Sequence, residues 1–226
     1  MEKDVEIRRP FVGLFDDALV LYQMATDISE RIANTNALLA RHSILTSAMS
    51  LEAAANSCLD MLRPRGKTMD DLERMTVIGK YDAYLLGRGG GKVLDRGARE
   101  VQPISEMKAL RDSIVHPKTI TCVFDKFSSD CYSRKLDIYP HLQITIENNS
   151  WFADDAEQVI RKTIGFLRYY FVEQCEHTSE EVKKILCSES MEEDGKTIYE
   201  DISNKGKEVA NNLNLDLGFL GLNKKK

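Results

Sequence analysis

Between about Asn36 and Pro64 the chain carries one helical pattern that is too long and too apolar to lie on a surface. Ile44, Ala48, Leu51, Ala55, Cys58 and Leu62 form a row at three- and four-residue spacing. A second row runs from Leu45 and Met49 on to Leu59. At roughly 1.5 Å per residue the helix spans about 40 Å before Pro64 stops it. Apolar rows on two sides require neighbours on two sides, so this helix predicts a bundle packed around it.

The other segments agree. Phe11, Leu14, Phe15, Ala18, Leu19, Leu21, Tyr22 and Ala25 predict a first helix, and Leu72, Met75, Ile78, Tyr81 and Leu85 a weaker third from Asp70 to about Leu86. A fourth runs from Pro103 to His116, between a starting and a terminating proline. Trp151–Cys175 carries the broadest stripe: Phe152, Ala156, Val159, Ile160, Thr163, Ile164, Leu167, Tyr170 and Phe171. Between the last two helices the period changes. Ile120–Phe124 and Leu142–Ile146 read as two strands of a long-looped hairpin over about 119–147. The expected fold is all-α: four to five helices in residues 1–188, with that hairpin inserted, followed by a tail at 189–226 whose leucines lack helical spacing.

The formal net charge of −5 over 226 residues excludes a generic nucleic-acid coat, although it permits a local basic site. No apolar run approaches the ~20 residues of a membrane span. The charged stretch Glu2–Arg9 lacks the apolar core of a secretion signal. A cytoplasmic chain without a membrane partner is expected. Five cysteines without a C-x-x-C pair and four isolated histidines suggest neither a disulfide framework nor a metal site, and no cofactor motif is present. His42, on the central helix, reads as a core-edge histidine, and Tyr169–Phe171 as core aromatics.

One side chain departs from the pattern. On the fourth helix Ile104, Met107, Leu110, Ile114 and Val115 share an arc of about 140°. Arg111 falls inside it. A guanidinium stays charged at any relevant pH and costs several kcal/mol to bury unpaired, so Arg111 needs a carboxylate or a wet cleft. Glu52, in the second row of the central helix, is a candidate partner. Periodicity alone leaves open a structural Arg111–Glu52 pair and a functional cleft. His116 ends the same helix, where an imidazole serves either as a cap for the last carbonyls or as a proton carrier. An always-cationic fork within two turns of a group that titrates near neutrality suits a phosphodiester.

The stretch Leu110-Arg111-Asp112-Ser113-Ile114-Val115-His116-Pro117, preceded by the Ala-rich helix around Ser50-Leu51-Glu52-Ala53-Ala54-Ala55, resembles the Arg-(polar)-x(3)-His motif of the HEPN superfamily. The resemblance covers about Phe11 to Cys175 and leaves out the hairpin and the tail. It implies a helical bundle that forms a homodimer with two motifs facing across a cleft. It further implies a metal-independent endoribonuclease of the kind found in toxin–antitoxin and antiviral defence systems, with RNA as substrate and an antitoxin or other protein as a further partner. Arg111 and His116 would be catalytic, gripping the scissile phosphate and moving a proton for attack by the ribose 2′-hydroxyl. Asp112 and Glu52 would support them. Arg88, Lys92, Arg96 and Arg99, set against Asp95 in a glycine-rich loop, would contact RNA phosphates or else form a solvated connection. The loop is not a Walker A motif, because Val93 follows Lys92. The competing reading is a HEPN-like module that binds RNA, nucleotide or protein without cutting.

Overall fold

The computed structural model describes residues 6–28, 33–64, 66–117, 119, 125–128, 131–133, 137–191 and 197–222. Its described residues form eight α-helices and three small antiparallel hairpins. Helix α1 (Phe11–Asp27) lies along α2 (Ala33–Met61), which also carries α4 (Val77–Gly87), α6 (Ala153–Arg168) and α7 (Ser179–Leu186). The central position of α2 follows from its small side chains. Ala40, Ser43, Ser47, Ala53, Ala54, Ala55 and Cys58 are buried, so neighbours approach closely, and Ser43 Oγ donates 2.7 Å across the contact to the Ala18 carbonyl.

Aromatic side chains from α4 and α6 close the core. The Tyr81 hydroxyl donates to the Leu51 carbonyl at 2.9 Å, and the Tyr170 hydroxyl to the Tyr81 carbonyl at 2.8 Å, so both buried phenols are satisfied. Tyr170 and Phe171 sit in a π-helical turn, Tyr169–Gln174, that extends α6. Its wider pitch ends with the Cys175 amide donating to the Tyr170 carbonyl at 2.9 Å.

Several expectations need correction. The third helix is broken: α3 (Lys67–Glu73) and α4 are separate, and Thr76 caps α4 by accepting the Gly79 amide at 3.1 Å. The Ile120–Phe124 strand lies outside the described residues. Leu142–Ile146 supplies only β4 (Ile144–Thr145), which pairs with β3 (Ile138–Tyr139). A separate ribbon joins β1 (Asp125–Ser128) and β2 (Cys131–Ser133). The β3–β4 turn docks on α5 (Gln102–Val115), where the Glu106 carboxylate accepts the His141 and Leu142 amides at 3.0 and 2.8 Å. His42 is exposed, with Nδ1 2.8 Å from the Leu38 carbonyl.

The largest difference concerns residues 189–191 and 197–222, which are not a tail. Strands β5 (Glu189–Met191) and β6 (Thr197–Tyr199) pair, and the bridge between Ile7 and Glu189 ties the N-terminal segment to them. Helix α8 (Asn204–Asn212) packs on α1, and the short turn Gly218–Leu220 packs on α7. The leucines look aperiodic in sequence because they lie beyond α8, in irregular chain and the Gly218–Leu220 turn. Leu213, Leu215, Leu217, Leu220 and Leu222 are nevertheless all buried. The α8 cap is tight: Asp16 Oδ1 accepts Ser203 Oγ at 3.0 Å, and a Cβ on Gly206 would meet that same oxygen at 1.9 Å. A larger residue there would have to displace the Asp16 carboxylate from the cap.

Candidate functional site

Helix α5 buries Ile104, Met107 and Leu110 and then runs past its cover. Ile114 is half-buried, and Val115 is 53% exposed instead of joining the core. Arg111 therefore stands at the boundary between packed and wet structure. Its side chain is 29% exposed, neither sealed nor free.

The guanidinium is shared between two acids. Nη1 donates to Glu52 Oε2, while Nη2 and Nε reach Asp112 Oδ1 at 3.0 and 3.3 Å. Each acid is in turn held by a second cation. Asp112 Oδ2 accepts from Lys108 at 2.9 Å, and Glu52 Oε1 lies 3.5 Å from Lys80 Nζ. The bonds from Lys108 and Arg111 hold the Asp112 carboxyl below the usual carboxylate range. Beneath Arg111 is a shallow hollow between α2, α4 and α5, floored by Ala48, Leu51, Val77, Ile104 and Met107.

Glu52, Arg111 and Asp112 thus come together, while His116 does not join them. It is the C-terminal residue of α5 and its amide donates to the Asp112 carbonyl at 2.9 Å. Its imidazole is exposed and makes no hydrogen bond or ion pair among the described residues. The ring does not cap the helix carbonyls. Lys80 was not anticipated. It is 2% exposed, on the face of α4 that also buries Tyr81 and Tyr84, and Nζ donates to Asn56 Oδ1 at 2.7 Å. The wheel argument that singles out Arg111 finds Lys80 as well: both are charges placed on a buried face.

The basic loop is tied to the protein itself. Arg88 donates to the Cys175 carbonyl at 2.5 Å and approaches His177 Nε2 at 3.2 Å. Lys92 pairs with Glu176 at 3.2 Å, Arg96 with Asp82, and Arg99 lies 3.8 Å from Glu100. The local excess of positive charge is thereby offset by acids from neighbouring segments. Among the described residues, no hydrogen bond or ion pair joins this loop to Arg111. Along α4, Arg88 lies about 12 Å from Lys80.

His177 anchors the loop as a neutral ring. Nε2 faces Arg88 and the Tyr84 hydroxyl, the latter at 3.0 Å, while Nδ1 is buried 3.6 Å from Glu181. Burial first, and then Arg88, push the His177 pKa below 6.5. The unfolded chain therefore binds the proton more readily. The contribution of this ring to stability is complete above about pH 6.5 and is lost as the pH falls toward the depressed folded value. The melting temperature is expected to fall between pH 7 and 5, with a flatter dependence in His177→Gln. Parallel profiles for the two proteins would show that His177 does not titrate in this way.

Among the described residues no three His, Cys, Asp or Glu side chains are grouped to hold a metal, and no helix is long and apolar enough to cross a membrane. Comparison with protein-family models, with curated proteins and with solved structures finds no match for this chain.

Proposed function

We infer that this protein is a metal-independent endoribonuclease of the HEPN type. The observation that carries the reading is the half-open guanidinium of Arg111, held in place by two carboxylates, with the unengaged imidazole of His116 five residues further along the same helix. A fixed fork of donors suits a scissile phosphate, and an unpartnered imidazole is available to move a proton. Arg111 would stabilise charge on the phosphorus while His116 acts as general base or acid for attack by the adjacent 2′-hydroxyl. The products would be a 2′,3′-cyclic phosphate and a 5′-hydroxyl, and DNA would be inert.

A homodimer would complete the site. Leu38 and Met49 on α2 and Val115 on α5 are exposed large apolar residues on the two helices that carry Glu52 and Arg111. Singly such residues are ordinary surface, and a partner packed along these helices would cover them. A second copy there would oppose two motifs across one cleft and bring in another His116. The basic loop is the secondary RNA contact in this reading. Defence or toxin–antitoxin biology and a restraining protein partner follow from the resemblance alone, and a cytoplasmic location from the sequence reading.

The test is incubation with bulk RNA in chelator, parent against His116→Ala. The parent is expected to cleave, and the variant to lose about 10²–10⁴-fold of the rate, as for removal of a general acid–base group, with an unchanged melt. Equal cleavage by both proteins would remove His116 from the chemistry. The second reading, a binding module that does not cut, is favoured by the absence of any Arg111–His116 contact. It predicts RNA retention without cleavage by parent and variant alike.

A further inference from the structure

Lys80 has no place in the HEPN motif, and the fold gives it an unusual position. Its ammonium is almost wholly buried and lies behind Glu52, on the side away from Arg111. Burying an ammonium is costly unless a carboxylate compensates it. Asn56 is neutral and supplies only a hydrogen bond, so compensation falls to Glu52. That carboxylate cannot then fully neutralise Arg111 as well. Through Asp112 the chain of contacts continues to Lys108. The linked groups are three cations, Lys80, Arg111 and Lys108, and two carboxylates, Glu52 and Asp112, with an excess of one positive charge.

Without Lys80 the remaining four groups would balance and Arg111 would be satisfied by its own acids. With Lys80 present, the excess appears at the open end of the chain, since Lys80 is sealed while Arg111 and Lys108 reach solvent, the latter half exposed. We propose that Lys80 is the buried charge that makes the Arg111 site an anion site, setting its capacity at one negative charge, that of a phosphodiester. Lys80 touches no ligand; it acts through Glu52. The proposal rests on Arg111 as a phosphate ligand, and not on cleavage.

The experiment is a double-mutant cycle of phosphate binding by calorimetry: parent, Lys80→Met, Glu52→Gln and Lys80→Met/Glu52→Gln, each checked for folding by circular dichroism. Lys80→Met is expected to weaken inorganic phosphate about tenfold, as for loss of one screened charge near the site. The double variant regains the parent's single excess charge and is expected to bind more tightly than Lys80→Met, falling short of the parent by what the Glu52 carboxylate contributes to aiming Arg111. Should Lys80→Met fold poorly, the Glu52→Gln pair measures the same charge, because loss of Lys80 there takes the excess from two to one and again weakens phosphate. Equal affinity with and without Lys80 on either background would overturn the proposal, as would a parent that takes up no phosphate. A second arm uses a 2′-O-methyl RNA oligonucleotide, which cannot be cut. The same order of affinities there identifies nucleic-acid phosphate as the ligand. The order with inorganic phosphate alone supports an anion site for a free phosphate and counts against the ribonuclease reading. A parent that binds phosphate as proposed but never cleaves RNA would leave Lys80 in its role and dismiss only the enzyme.

Discussion

A chain truncated after Asp201 is expected not to fold. The deletion removes Val209, Ala210, Leu213, Leu215, Leu217, Leu220 and Leu222, all buried, and uncovers the sides of α1 and α7 on which they pack. A fully buried aliphatic side chain contributes roughly 1.5–3 kcal/mol. Six such residues besides the alanine contribute on the order of 10 kcal/mol, even after allowance for a compact unfolded state. Domains of this kind are stable by only about 5–15 kcal/mol. The truncated protein should therefore appear in the insoluble fraction, or show no cooperative melt by circular dichroism. A soluble truncated chain that melts at the parent's temperature would restore the segment to the status of a tail. Leu220→Ala is a graded version, expected to cost about 3 kcal/mol.

Glu52→Ala is the second large effect, and it acts on stability before it acts on any reaction. The substitution leaves the Lys80 ammonium with Asn56 as its sole acceptor while the side chain remains 3% exposed. Removing one partner of a buried ion pair costs about 3–5 kcal/mol, which for a chain of this size lowers the melting temperature by roughly 6–20 °C. Adding Lys80→Met should recover most of that loss, since an apolar side chain of similar length needs no counter-charge. Arg111→Ala should cost less, because Arg111 is partly solvated and Glu52 keeps Lys80. A melt for Glu52→Ala within one degree or so of the parent would mean that Lys80 is reached by water. The comparison separates two uses of one carboxylate, holding up α4 and aiming Arg111.

The helical elements were legible where apolar periodicity and proline agreed. Phe11–Asp27, Gln102–Val115 and the long helix ending near Pro64 lie close to where spacing places them. Burial was less legible. Leu38, Leu45 and Met49 have helical spacing and yet none is fully buried, because among the described residues nothing packs closely over them. Val115 misleads for the same reason: an apolar arc states what a helix is able to bury, not what lies opposite. The site divides similarly. The Arg111–Glu52 pairing followed from placing a charge on an apolar arc, whereas His116 was expected within the same constellation and stands apart. Two cations of the glycine loop meet acids from other segments, Arg96 in Asp82 and Lys92 in Glu176, 84 residues away, while Arg88 bonds the Cys175 carbonyl.

The helical class, the position of several helices and the pairing of Arg111 with a carboxylate were legible in the sequence, because period, proline and charge are local properties; Arg9, buried against Glu189, was not, since no periodic pattern surrounds it. Only the tertiary structure shows that the C-terminal leucines belong to the core, that Leu38 and Met49 of α2 stay exposed, and that Lys80 stands behind Glu52. Each of these depends on which surfaces meet across long separations in the chain, and burial and ion pairing exist only once two surfaces are in contact.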